Sequence, residues 1–267
     1  MNPLFLLSIL VSFSVSCAEE KTTVEECDPT LFGTPSANTG LGADQCAASC
    51  GCGETPFTPP TYTEADVSSL ASFILIDGPE TLDEDPYQSS PNLEPDDALF
   101  CAVVPQAEPQ QYRLANYETQ ANAEADGATV THRGACGQCS SLQNLAVYMA
   151  NPDLTDPVRN CGIEGIVAGE EANIECLMEI GFDLPCAQIW YYNTQNTRDV
   201  CLDVCLASLD STHHNEDGSL NDCIQCDEDN SGPVFKTVSG RTRRNSGLPS
   251  ALCRPCDSVF PVDHRSY

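Results

Sequence analysis

Cysteine content constrains this chain more than any other feature, since 17 of its 267 residues are cysteine. So many thiols are rare in the cytosol, whereas an exported protein can keep them oxidised as disulfides. The count is odd, and removing or modifying Cys17 leaves an even number that can pair completely. Each bridge would stabilise the fold by roughly 2–4 kcal/mol, mainly by restricting the unfolded chain. We therefore expect an extracytoplasmic, disulfide-rich protein, whose bridge pattern the sequence leaves open.

The N-terminal segment also indicates export. Residues 1–16 are largely apolar and end in small residues, which is typical of a secretory signal peptide. Cleavage after Ser16 would leave Cys17 as the first residue, an arrangement that resembles the bacterial lipoprotein signal and implies lipidation of Cys17. Cleavage after Ala18 would release a secreted protein instead. Both alternatives stay open, and contact with a membrane is expected only through a lipid anchor at Cys17.

The chain carries a large excess of negative charge, with 40 acidic against 11 basic residues and a net charge of -29. Nucleic acids and anionic membrane surfaces attract positively charged proteins, so neither is an expected partner. The excess suits a solvated protein in a salty medium, where ions screen the self-repulsion.

Hydrophobic patterning predicts an acidic, cysteine-containing tether at 17–60 and a single disulfide-rich domain at 61–267. The fold class is predicted to be α+β: a small β region, a stapled helical part at about 139–210, and a loop-rich, cysteine-containing tail at 211–267. Four strands are expected, at Ala71–Ile76, Phe100–Val104, Tyr112–Tyr117 and Ala128–His132.

Four helices are expected in the helical part, at 142–149, 156–167, 170–180 and 185–209. The first has apolar residues at helical spacing and a serine cap at Ser140 or Ser141. Cys201 and Cys205 share one face of the last helix and cannot bond each other. Each should therefore pair with another segment, for which the candidates are Cys161, Cys176 and Cys186.

A Cys-x-x-Cys pair, Cys136 and Cys139, stands directly before the first helix. A helix N-terminus and the nearby Arg133 would lower the pKa of a cysteine there, as a nucleophilic or redox cysteine requires. His132 is a candidate base. The alternative is a structural disulfide, which an oxidising compartment favours.

Residues 134–139, GACGQC, resemble the segment around the nucleophile of papain-like cysteine proteases, which implies Cys139 as nucleophile and Cys136 as a disulfide partner. The likeness is confined to this short segment. Arg133 replaces the oxyanion glutamine, Ser140 replaces the usual tryptophan, and no Asn-Ser-Trp partner follows. The chain is therefore not assigned to that family.

Residues 236–254 contain five of the 11 basic residues. The planar guanidinium groups of Arg241, Arg243 and Arg244, with the hydroxyl of Ser246, have the chemistry to hold a carboxylate, sulfate or phosphate. This segment predicts a small anionic ligand. The alternative is that these arginines pair with the surplus acids and hold the tail against the rest of the domain.

Residues 227–232, DEDNSG, resemble the start of an EF-hand calcium loop, with oxygens from Asp227, Asp229 and Ser231 and a glycine at the sixth position. The bidentate glutamate usual at position 12 is absent, and a solvated acidic turn is the alternative. Zinc ligands are present in two further Cys-x-x-Cys pairs, at 223–226 and 253–256, but export favours disulfides there. No cofactor other than calcium is expected.

Two functional hypotheses follow from the sequence. The first is an exported binding or structural protein, secreted or lipid-anchored, with a protein or a small anionic ligand as its partner. The second is a thiol-dependent extracytoplasmic enzyme in which Cys139 attacks, His132 acts as base and the arginines bind an anionic substrate. The number of free thiols separates them, since only the second requires a reactive cysteine.

Overall fold

The computed structural model describes residues 31–51 and 56–267; the predicted signal peptide and Cys17 lie outside them. The elements are β1 (Leu31–Phe32), β2 (Cys46–Ala47), α1 (Glu64–Ala71), β3 (Ile74–Leu75), α2 (Pro86–Ser89), β4 (Phe100–Pro105), β5 (Gln111–Tyr117), α3 (Gln120–Ala125), β6 (Thr129–Arg133), α4 (Leu142–Ala150), α5 (Thr155–Ala168), α6 (Glu170–Ile180), α7 (Leu184–Ala207), α8 (Asp222–Asn230), α9 (Gly232–Ser239) and β7 (Arg254–Pro255). The α+β, disulfide-rich fold class is confirmed.

Seven disulfides cross-link the described residues. They are Cys46–Cys253, Cys50–Cys256, Cys101–Cys136, Cys139–Cys186, Cys161–Cys176, Cys201–Cys226 and Cys205–Cys223. This number of bridges indicates an oxidising, extracytoplasmic environment. None of the helices within residues 31–51 and 56–267 combines the length and the apolar character needed to cross a bilayer.

The larger sheet has the strand order β3-β5-β4-β6. β4 runs antiparallel to both β5 and β6, close to the predicted strand positions. The expected strand at Ala71–Ile76 is shorter, because a capping box at Thr63 starts helix α1 and carries the helix through Ala71. Only Ile74 and Leu75 remain extended, and they pair in parallel with β5.

Helices α4 to α7 form the predicted helical part and enclose the main core. Ser141 caps α4 and Asp183 caps α7, each by accepting a backbone N–H of the first turn. The core between them contains large apolar side chains with no exposure, such as Leu145, Leu177 and Ile189. Burial of each such side chain is worth roughly 1.5–3 kcal/mol.

The tail is more ordered than the sequence predicts, since it contains α8, α9 and β7. Asn221 caps α8, and the spacing of Cys223 and Cys226 places both sulfurs on one helical face. These two cysteines bond Cys205 and Cys201 of α7, so the candidates at 161, 176 and 186 are not their partners. α7 and α8 are thereby joined by two successive cross-links.

The segment at 31–51 is attached to the end of the tail. β1 pairs in parallel with β2 and antiparallel with β7, giving a small three-stranded sheet. Cys46 and Cys50 of this segment bond Cys253 and Cys256 respectively. The Cys-x-x-Cys pair at 253–256 thus forms disulfides, as expected for an exported chain.

Candidate functional site

A cavity of about 370 Å³ opens between α5, α7, α8, α9 and the segment 242–254. Its lining includes aromatic and aliphatic side chains that are buried, such as Tyr148 and Leu248, or half-buried, such as Trp190 and Phe235. The ring centroids of Trp190 and Phe235 lie 4.6 Å apart. The volume lies within the range of about 300–1,000 Å³ that is usual for small-molecule sites. A mainly apolar lining is also usual for such sites.

The mouth of this cavity is also apolar. Ile163 and Ile166 of α5 and Leu202 of α7 line it and are 54%, 58% and 46% exposed. Adjacent exposed aliphatic side chains are unusual on a soluble protein and mark surfaces that bind something apolar. The two disulfides between α7 and α8 fix one wall, and two of their cysteines, Cys205 and Cys223, line the cavity.

Basic residues are concentrated at this cavity. Six of the chain's 11 basic residues line it: Arg159, Arg198, Lys236, Arg243, Arg244 and Arg254. Among the acidic residues within 31–51 and 56–267, only Asp153, Asp227 and Glu228 do so. The cavity therefore has the opposite charge balance to the rest of the molecule.

Glu228 is the single carboxylate at the centre of a basic cluster. Its oxygens lie 2.7 Å from Arg254, 3.0 Å from Lys236 and 3.3 Å from Arg244. Burial raises the pKa of Glu228, but these three cations outweigh burial and hold it below its usual value. One carboxylate against three cations leaves an excess of two positive charges beside the cavity.

The carboxyl group of Asp227, the neighbour of Glu228, is engaged in hydrogen bonds within the protein. It accepts a short hydrogen bond from the hydroxyl of Thr197 and a longer one, at 3.4 Å, from the amide of Asn193. Burial raises its pKa, and the nearby Glu228 raises it further, against the effect of these hydrogen bonds. The third acid, Asp153, is engaged at 3.0 Å with His213.

The predicted anion-binding residues are separated by the structure. Arg241 is fully buried, and Ser246, also buried, accepts a hydrogen bond from it. Arg243 and Arg244 line the cavity, and Arg244 belongs to the cluster around Glu228. The alternative interpretation was that these arginines pair with surplus acids. Arg244 and Arg254 do so, since both form ion pairs with Glu228, whereas Arg243 donates to backbone carbonyl oxygens.

The predicted calcium residues lie on a helix rather than in a loop. Asp227 and Asp229 are in α8, and Ser231 follows its last turn. Asp229 accepts a hydrogen bond from Gln225, and Ser231 is hydrogen-bonded to Thr197. No group of three or more His, Cys, Asp or Glu side chains within residues 31–51 and 56–267 is arranged to hold a metal ion.

The two cysteines of the GACGQC segment are bonded to different partners. Cys139 is fully buried and pairs with Cys186, while Cys136 pairs with Cys101. Neither is a free thiol in this state, and they do not form a redox pair with each other. Both bridges fasten the turn before α4, which is a structural role.

His132 lies beside a serine rather than a thiol. The distance from its Nε2 to Oγ of Ser140 is 2.7 Å, and its Nδ1 lies 3.0 Å from the carbonyl oxygen of Arg133. This arrangement resembles a base and a nucleophile, but both His132 and Ser140 have no exposed surface. A substrate has no access to them, so the pair holds the turn together.

The sequence predicted Arg243 and Arg244, both of which line this cavity, as anion-binding residues, but it did not predict the apolar side chains beside them. Tyr148, Trp190 and Phe235 come from three different helices, and nothing in their spacing predicts that they meet. Trp190 is the only tryptophan of the chain, which was the one available signal for a distinctive site.

Comparison with known proteins gives one match. Residues 170–262 match the model of a family described as a family of unknown function, DUF8771. This stretch runs from the start of α6 to beyond β7 and includes α7, α8, α9 and the basic segment of the cavity. No curated protein and no solved structure shows significant similarity to the chain. The match is therefore limited to this part of the chain, and it carries no description of function.

Proposed function

We propose that this protein is an extracytoplasmic binding protein that holds a small amphipathic anion in the cavity between α5 and α7–α9. The observation that carries the proposal is the charge reversal. A chain with a net charge of -29 places six of its 11 basic residues around one apolar cavity. Apolar walls would hold the body of such a ligand, and the basic residues would hold its charged end.

The protein would act after export, either secreted or attached to a membrane through a lipid on Cys17. Both routes place the cavity in an oxidising medium, which keeps the α7–α8 disulfides intact. The mass of the N-terminal peptide of the exported protein distinguishes the two routes. The thiol-enzyme hypothesis has no support in the described geometry, because Cys139 and Cys136 are both in disulfides.

Binding can be tested through the single tryptophan, since Trp190 lines the cavity. Its fluorescence would be titrated with three ten-carbon amphiphiles: decanoate, decanol and decyltrimethylammonium. We expect decanoate to bind best, by about tenfold or more over the cation. Non-specific adsorption would give the opposite order, because the net charge of the protein attracts cations. Absence of any binding, or tightest binding of the cation, would contradict the proposal.

A pair of variants on α5 tests whether the ligand occupies this cavity. Gly162 lines the cavity, and a Cβ there would meet only Thr194, at an ordinary distance of 3.7 Å. We expect Gly162→Leu to weaken decanoate and decanol alike by filling space that they need. Val167→Leu changes an 86% exposed residue of the same helix and should leave both affinities unchanged.

A further inference from the structure

Arg243 differs from the other arginines of its segment in what it binds. Its two terminal nitrogens donate to the carbonyl oxygens of Tyr148, at 2.7 Å, and of Asn151. No carboxylate of the described residues lies within ion-pair distance of it, and no acceptor is present for its Nε. A guanidinium has five N–H groups, so most of the hydrogen-bonding capacity of Arg243 is unused by the protein.

Arg241 provides the internal comparison. It makes five hydrogen bonds, to the carbonyl oxygens of Cys139, Thr131 and Ser140 and to the hydroxyls of Thr131 and Ser246. Its hydrogen-bonding capacity is therefore fully used inside the fold. Two arginines separated by one residue thus have different roles, since Arg241 joins β6 to the turn before α4, whereas Arg243 faces the cavity.

Two more unused donors lie next to Arg243. The guanidinium carbon of Arg243 is 5.3 Å from the centre of the Tyr148 ring. Neither the hydroxyl of Tyr148 nor the indole N–H of Trp190 has a hydrogen-bond partner in the described structure, although both atoms are buried. Tyr148 is 3% exposed, and burial of an unpaired polar group costs roughly 1–3 kcal/mol.

Arg243 also acts on Tyr148 electrostatically. Burial raises the pKa of Tyr148 to about 12, although the positive charge of Arg243 acts in the opposite direction. The hydroxyl therefore remains protonated and can donate. The three donors belong to cavity-lining side chains from α4, α7 and the tail, and an oxygen-rich anion that reached them would satisfy all of them.

We propose that Arg243, Tyr148 and Trp190 form a carboxylate-recognition site at the inner end of the cavity, and that the ligand is a monocarboxylic acid with an apolar body. This inference depends on the proposed function and specifies its ligand class. Hydrogen bonds from Arg243, the phenol and the indole would hold the carboxylate oxygens. The aromatic walls around Phe235 and the aliphatic mouth would hold the apolar body.

A single negative charge fits this site better than two. Arg243 is the cation that contacts Tyr148, and the carboxyl group of Asp227, whose pKa burial raises, is already hydrogen-bonded to Thr197 and Asn193. A carboxylate would balance Arg243, whereas a phosphate dianion would leave an unpaired charge in a largely apolar region, which is costly. The side chains of the cluster around Glu228 are 14–28% exposed, and its excess of positive charge would attract the anion during entry.

The experiment measures decanoate, decyl phosphate and decanol binding to the intact, oxidised protein by calorimetry. We expect decanoate to bind at least about tenfold more tightly than either of the others. Arg243→Gln should weaken decanoate by roughly 10- to 100-fold and leave decanol within about twofold, since a charge-assisted interaction is lost and the apolar walls remain. Tighter binding of decyl phosphate than of decanoate would overturn the inference.

A second variant and a control guard against misfolding. Tyr148→Phe removes only an oxygen that has no partner in the protein, so the fold should be retained or stabilised. It should nevertheless weaken decanoate severalfold and leave decanol unchanged. Arg113→Gln removes the same charge from an exposed position on β5 that does not line the cavity, and decanoate affinity should not change.

The outcomes separate the two proposals. If neither decanoate nor decanol binds, the proposed function itself is wrong. If decanoate binds but both Arg243→Gln and Tyr148→Phe bind it as the wild type does, the cavity holds an anion elsewhere and only the carboxylate-recognition site is wrong. Weakened decanoate binding in both variants, with decanol unchanged, supports both proposals.

Discussion

Two histidines lie beside the buried guanidinium of Arg241, and among the described residues no carboxylate makes a hydrogen bond or ion pair with any of the three groups. His132 has no exposed surface and His264 is 2% exposed. Burial and the charge of Arg241 lower the pKa of both, that of His264 to about 3. Both histidines are therefore neutral in the folded protein well below the pH at which an exposed histidine becomes charged.

This arrangement makes the fold sensitive to mild acid. An unfolded chain binds a proton at each histidine once the pH falls below about 6.5, while His264 in the folded protein does not until about 3. Because the unfolded state binds more protons, the contribution of His264 to stability is fully present above about pH 6.5 and is lost as the pH falls toward about 3. For His264 alone the loss between about pH 7.5 and about pH 5 is about 2 kcal/mol.

A variant isolates this contribution from that of the many acids. Nε2 of His264 donates to the carbonyl oxygen of Ser246, and its Nδ1 lies 2.6 Å from the hydroxyl oxygen of Tyr267. Glutamine offers an NH2 group as donor and an amide oxygen as acceptor but does not titrate in this range, so His264→Gln can hydrogen-bond to the same two groups. Carboxylates such as Asp263 titrate in both proteins, and their effect cancels in the comparison.

The assay is urea unfolding of both proteins, with disulfides intact, at about pH 7.5 and about pH 5. We expect the wild type to lose about 2 kcal/mol more unfolding free energy than His264→Gln over this interval. Equal losses in the two proteins would refute the reasoning, because they would mean that His264 is protonated in the folded state or is already shielded in the unfolded one.

Three other outcomes are expected. Gly162→Ala should raise the unfolding free energy by about 0.5–1 kcal/mol, because alanine has the higher helix propensity. Gly165→Ala should lower the unfolding free energy by about 1–2 kcal/mol, because the new Cβ would lie 2.7 Å from Cβ of the buried Asn173. Thermal melts should show shifts of opposite sign. Replacing Cys139 and Cys186 by alanine should cost about 4 kcal/mol in urea unfolding, since their bridge spans 47 residues. Iodoacetamide should label neither cysteine in the native wild type, and rapid labelling of Cys139 would restore the nucleophile hypothesis.

Local signals predicted the helical part well. The boundaries of α6 follow its sequence pattern, and Ser141 caps α4 as one of the two candidate serines. These features depend on neighbouring residues, which is why a single sequence reveals them. In the tail, Cys223 and Cys226 have helical spacing, but a Cys-x-x-Cys pair also occurs in loops. The residues around this pair are mostly polar, so no apolar periodicity indicated helix α8.

Long-range features were beyond the reach of the sequence. The partners of Cys201 depend on which helix packs against α7, and apolar periodicity does not encode that choice. The two arginines Arg241 and Arg243 look alike in the chain, yet one is surrounded by backbone carbonyls and the other faces a cavity. Their different roles follow from tertiary packing, which also brings Tyr148 and Trp190 together.

The attachment of the 31–51 segment to the tail has a mechanical consequence. Cys46 is bonded to Cys253, and Cys50 to Cys256, across sequence separations of 207 and 206 residues. A pulling force applied between the chain before Cys46 and the chain after Cys256 would pass through these covalent bonds. The residues between them, including every wall of the cavity from α5 to α9, would bear almost no load and could not be extended. Tension between these two points would thus leave the fold of the cavity walls intact until a sulfur–sulfur bond is broken.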